Sequence, residues 1–95
     1  MSYQVTFDPG AAREFAKLPQ THKRQLADVI DQLAEDPRPI GSKKLVNADA
    51  YKVRVGDYRI VYAIRDAALI VLVVKVGHRR DVYKDIDAIR KRLKK

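Results

Sequence analysis

Between Tyr51 and Arg65 two runs of alternating apolar and polar residues meet at a single Gly-Asp pair, Gly56-Asp57. No other segment restricts the fold as tightly. Alternation assigns successive side chains to opposite faces of a strand. A two-residue turn that begins with glycine then allows one pairing of its flanking strands. That pairing sets Val55 against Tyr58, Arg54 against Arg59 and Val53 against Ile60. One face carries Tyr51, Val53, Val55, Tyr58, Ile60 and Tyr62, which suits packing beneath helices. The other carries Lys52, Arg54, Arg59 and Val61.

Elements on either side of this hairpin follow from local pattern. Tyr3 to Phe7 alternates and reads as a half-buried strand. Asp8-Pro9 supplies an N-cap and a first-turn proline, so a helix starts there and stops at Leu18-Pro19. A second helix begins near Thr21. Its apolar stripe is Leu26, Val29, Ile30, Leu33 and Ala34, and Asp36-Pro37-Arg38-Pro39 ends it. After the hairpin, Asp66-Ala67-Ala68 predicts a short turn. Leu69 to Val76 predicts a central strand covered on both faces and broken by Gly77. Carried through that turn, the alternation sets Arg59 against Val74. A basic helix over Asp81 to Leu93 closes the chain, with Ile86, Ile89 and Leu93 on one side.

The expected class is therefore α+β, in the order β-α-α-β-β-β-α. It comprises a mainly antiparallel four-stranded sheet, a helical hairpin on one face and a short C-terminal helix, with residues 1–95 as one domain.

Composition removes several functions. There is no cysteine, which excludes disulfides and cysteine-bound zinc, and His22 and His78 lie too far apart in sequence to suggest a metal site. No cofactor is expected. The apolar run from Ala67 to Val74 is far short of the roughly 20 residues a bilayer span needs. The N-terminus lacks the basic-then-apolar pattern of a secretion signal, so a cytoplasmic protein with no membrane partner is expected.

Charge is distributed unevenly. Residues 1–42 hold five Lys/Arg and six Asp/Glu, whereas residues 43–95 hold fifteen and six, a net of +9. A basic surface confined to one half points to a polyanion, either nucleic acid or an acidic protein. The hairpin sharpens this, because two arginines directly opposed on one face repel and work against folding. A negatively charged ligand would relieve them. Gly77-His78-Arg79-Arg80 leaves the sheet nearby, and Tyr83 follows. The candidate constellation is Lys52, Arg54, Arg59, Arg79 and/or Arg80, with His78 and Tyr83 at its edge and Lys44 as a further contact. Guanidinium forks grip phosphate oxygens, and tyrosine stacks on bases. No acidic pair lies in this region to hold Mg²⁺ for a two-metal mechanism. Cleavage of RNA here would use the neighbouring 2′-hydroxyl, with electrostatic stabilisation of the phosphate.

The blocks from Tyr51 to Tyr62 and from Val76 to Tyr83, together with the Phe-Asp-Pro helix start and Asp-Pro-Arg-Pro, resemble the RelE/ParE superfamily of type II toxins. The resemblance covers nearly the whole chain. It implies a ribosome-dependent mRNA endoribonuclease that works in the A site. Lys52, Arg59, Arg79 and Tyr83 then match catalytic positions, and Arg54, His78, Arg80 and Lys44 become RNA contacts. Arg54 stands where other members have lysine. Arginine is too basic to serve as general base, so that role falls on Lys52. The Gly77–Tyr83 stretch is shorter than in some members, which leaves Arg79 and Arg80 as alternatives for the leaving-group arginine.

The resemblance further implies an acidic antitoxin from the neighbouring gene, with operator DNA bound only indirectly through the complex. Such a partner would cover the basic site or displace the last helix. Two other readings stand beside the nuclease: a ParE-like toxin acting on DNA gyrase, and a nucleic-acid-binding module without chemistry. His22 is expected to be a bystander.

Overall fold

The chain forms β1 (Gln4–Phe7), α1 (Pro9–Ala16), α2 (Gln20–Glu35), β2 (Lys43–Lys44), β3 (Tyr51–Val55), β4 (Tyr58–Arg65), β5 (Ile70–His78) and α3 (Ile86–Leu93). The structure is a computed structural model and describes residues 2–46, 48–80 and 86–94. The start of α1 is the one its sequence dictates. Asp8 caps it by accepting a hydrogen bond from the Gly10 amide at 2.8 Å, and Pro9 opens the first turn. On α2 the apolar spacing buries Leu26, Ile30 and Leu33.

The strands lie in the order β1-β5-β4-β3-β2. β1 runs parallel to β5, and every other neighbouring pair is antiparallel. The apolar face of the hairpin packs beneath the helical hairpin, where Val53, Ile60 and Tyr62 join Ala11, Leu26, Ile30 and Leu33 in one core. β5 is covered on both faces, as expected. Val71, Val73 and Val76 belong to this core, while Val74 joins Ala50, Val61 and Ile89 in a second core under α3. Residues 81–85, which include the start predicted for the last helix, lie outside the described residues.

Three features differ from the sequence expectation. A fifth strand, β2, joins the sheet edge by pairing Lys43 with Lys52 and Lys44 with Tyr51. Two consecutive lysines carry no alternation, so this strand left no periodic signal. Second, Arg59 faces Gly77 rather than Val74. The turn after β4 takes four residues, because Leu69 adopts a left-handed φ of 54° and its amide reaches the Asp66 carbonyl at 3.2 Å. A bulge at Val61/Tyr62 shifts the register once more, by inserting an extra residue into β5. Third, β5 continues through Gly77 to His78 instead of ending at the glycine.

Where β1 ends, carboxylates from the α1 region complete the exposed margin of β5. Glu14 accepts the Val76 amide at 3.2 Å and the Lys75 ammonium at 2.7 Å. Arg92 of α3 reaches the same place. Its Nη1 donates to Glu14 at 3.1 Å and to the Val74 carbonyl at 2.8 Å, and its Nε lies 3.3 Å from Asp8. The guanidinium lies over Gly10, where any Cβ would collide with it. Burial raises the Glu14 pKa, but hydrogen bonds from Lys75, Arg92 and Val76 outweigh it and hold the carboxyl below its ordinary range.

Candidate nucleic-acid interface

The hairpin turn forms as its sequence requires, with Gly56 at φ +60°, a value that costs glycine little. Its register sets Arg54 directly opposite Arg59 on the sheet face away from the helical hairpin. Both guanidiniums turn to one acceptor: Arg54 Nε donates to the Gly56 carbonyl at 3.2 Å, and Arg59 Nη1 reaches it at 3.4 Å. Arg59 Nη1 also donates to the Tyr58 carbonyl at 3.1 Å. Among the described residues no carboxylate pairs with either arginine. Two full charges share a carbonyl dipole, which orients them without neutralising them.

Lys52 lies two residues along β3 from Arg54, on the same face. Across the strand pair from it stands Lys43. A cleft of about 410 Å³ runs between these elements, lined by Lys43, Lys52, Arg54 and Arg59, with Ile40 and Gly41 on its rim. Gly77, which has no side chain, is the residue opposite Arg59. The Arg79 amide donates to the Asp57 carbonyl at 2.7 Å, tying the departing chain to the turn that holds the opposed arginines. Arg79 and Arg80 are both exposed.

The remaining predicted residues fall elsewhere. Lys44 pairs with Tyr51 rather than Lys52 and lies 3.8 Å from Asp49, outside the cleft. Lys43 takes the place expected of it. Only the short β2 pairing determines which of two adjacent lysines turns inward, and sequence periodicity cannot show it. His78 lies opposite Tyr58, on the helical side of the sheet, with its ring centroid 5.7 Å from the tyrosine ring. Its Nδ1 accepts the Arg80 amide at 3.2 Å. The His22 ring also lies against Tyr58, with centroids 4.6 Å apart and the planes tilted by 39°. Tyr83 lies outside the described residues.

The segment before β2 is firmly held. The Tyr62 hydroxyl, fully buried, donates to the Pro37 carbonyl at 2.8 Å. Burial pushes its pKa up to about 12, against a lowering hydrogen bond with Ser42. Arg38 forms a two-point pair with Asp66 at 2.9 and 3.3 Å and lies over the Tyr51 ring. Among the described residues no three His, Cys, Asp or Glu side chains converge as metal ligands. None of the described helices is long and apolar enough to cross a membrane.

Comparison with known proteins supplies the class. Residues 5–83 match the family described as the ParE toxin of the type II toxin–antitoxin system parDE. The chain is 34% identical to the mRNA interferase toxin RelE of Escherichia coli K12, over 90% of this chain and 94% of that one. A doubly substituted E. coli RelE in the free state superposes with a TM-score of 0.81 at 31% identity, covering 98% of this chain and 99% of the other. RelE in the intact E. coli RelBE toxin–antitoxin complex gives 0.74 at 33% identity, covering 81% and 96%. The chain belongs to the RelE/ParE family of type II toxins.

Proposed function

We propose that this chain is a RelE-type mRNA endoribonuclease that cuts the messenger in the ribosomal A site and so halts translation. The observation that carries the reading is the cleft itself, where Lys43, Lys52, Arg54 and Arg59 converge and, among the described residues, no carboxylate pairs with either arginine. In the proposed reaction the messenger's 2′-oxygen attacks the adjacent phosphorus and gives its proton to the Lys52 amine. The bond from phosphorus to the 5′-oxygen breaks, and that oxygen gains a proton from water. Arg54 and Arg59 stabilise the charge that builds on the phosphate, and Arg79 or Arg80 attends the leaving oxygen. Tyr83 orients the messenger by stacking. The step needs no metal.

End-group analysis of messenger cut on programmed ribosomes tests this directly. The expected fragments carry a 2′,3′-cyclic phosphate and a 5′-hydroxyl. Fragments with a 5′-phosphate would overturn the mechanism.

The match to the ParE description supports a second reading, a toxin that acts on DNA gyrase. Expression in growing bacteria separates the two, since the nuclease stops protein synthesis whereas a gyrase poison induces DNA damage. In the nuclease reading the chain is held in check by an acidic antitoxin that covers the cleft or displaces α3. RelE's capture in complex with RelB supports such a partner. Deleting residues 85–95 is expected to change antitoxin affinity; unchanged binding would place the contact elsewhere.

A further inference from the structure

Ile40 is fully exposed, at 106% relative accessibility, yet it lines the cleft that also holds Lys43, Lys52, Arg54 and Arg59. A single apolar side chain on a surface is ordinary. This one is held out by a built turn. The Ser42 amide donates to the Pro39 carbonyl at 3.0 Å, closing a four-residue turn with Ile40 and Gly41 at its centre. Gly41 has φ +97°, as the third position of a type II turn requires, which leaves Ile40 at the tip. The turn cannot swing freely. Pro37 is bonded to buried Tyr62, Arg38 is paired with Asp66, and Lys43 is fixed in β2.

A nucleotide presents a charged phosphate and an apolar base face on either side of one sugar. The cleft offers the matching pair: four cations and an exposed apolar side chain in one lining. We infer that Ile40 is a base-contacting residue, packing against a nucleobase of the RNA whose phosphate the Arg54/Arg59 pair holds. This inference rests on the proposed RNA-cleaving function and adds to it the residue that reads the base.

The test uses binding of a 2′-O-methyl RNA hexamer, which cannot be cleaved, followed by fluorescence anisotropy at several salt concentrations. Ile40→Ala is expected to weaken binding by about five- to tenfold, because three carbons that a base covers on one side only are lost. The salt dependence should not change, because no ion contact is removed. Arg59→Ala should instead lower the salt slope by about one. An abasic hexamer should bind the wild-type chain more weakly by at least the factor seen for Ile40→Ala, and the substitution should cost nothing further on that backbone. Equal binding by Ile40→Ala and wild type overturns the inference, as does an equal loss on intact and abasic hexamers. Weakened antitoxin binding with unchanged RNA binding also overturns it and assigns the residue to a protein partner. Failure of the wild-type chain to cut programmed ribosomes sinks the nuclease reading alone, since the hexamer cycle still decides the role of Ile40. Failure of the wild type to bind the hexamer overturns the inference, while cleavage on programmed ribosomes still decides the nuclease reading.

Discussion

Arg92 and the Arg54/Arg59 pair are built from the same side chain and end in opposite electrostatic states. Arg92 lies among Asp8, Glu14 and the Val74 carbonyl, with Lys75 completing the group, and its side chain is only 18% exposed. Arg54 and Arg59 lie opposite each other and share one carbonyl. In the first cluster each charge is met by an opposite one, so removing any one partner leaves the others uncompensated. The second loses from folding, because the hairpin register brings like charges together. A feature that folding disfavours is retained for something outside the fold. By this criterion Arg92 holds the structure, and Arg54 and Arg59 fit the proposed role of holding an anion.

The comparison breaks first at Arg92. Arg92→Ala strips the buried Asp8 carboxylate of its guanidinium partner and removes an ionic tie between α3 and the body. A loss of about 3 kcal/mol in urea unfolding is expected, typical of breaking a buried pair by removing one partner. Cleavage per folded molecule should be unchanged. A loss below about 1 kcal/mol would show that the cluster is a solvated surface pair instead.

A smaller effect should appear at acid pH. The native Glu14 carboxyl titrates below its ordinary value, so its stabilisation is fully present above about pH 4.5 and is lost as pH falls through the depressed native value. Glu14→Gln removes that dependence. The stability gap between wild type and Glu14→Gln should therefore narrow as pH drops below about 4.5. A gap that stays constant across this window would exclude the ionic role of Glu14.

The two clusters also differ in how far the sequence reveals them. The Arg54/Arg59 pairing is legible because Gly56-Asp57 fixes a local register and alternation assigns the faces. The Asp8-Pro9 helix start is legible for the same reason: the signal and the structure lie within one turn. Arg92 was not legible. Its partners Asp8 and Glu14 are some eighty positions away, joined to it only by the packing of α3. Lys43 was missed because β2 is two residues long, and the Gly77 register because a bulge and a left-handed Leu69 leave no periodic trace. Local backbone chemistry can be read along the chain, whereas a cleft assembled from a short edge strand and a turn cannot.

The most direct test of the central claim is Arg59→Ala, assayed for messenger cleavage on programmed ribosomes and for stability on the same preparation. Removing one of two opposed arginines should lower the cleavage rate by about a hundredfold or more, as loss of a single donor to a developing anion commonly does. Stability should hold or rise by some tenths of a kcal/mol, because a cross-strand repulsion disappears. A variant that still cleaves at the wild-type rate, or that loses activity only because it no longer folds, would contradict the account.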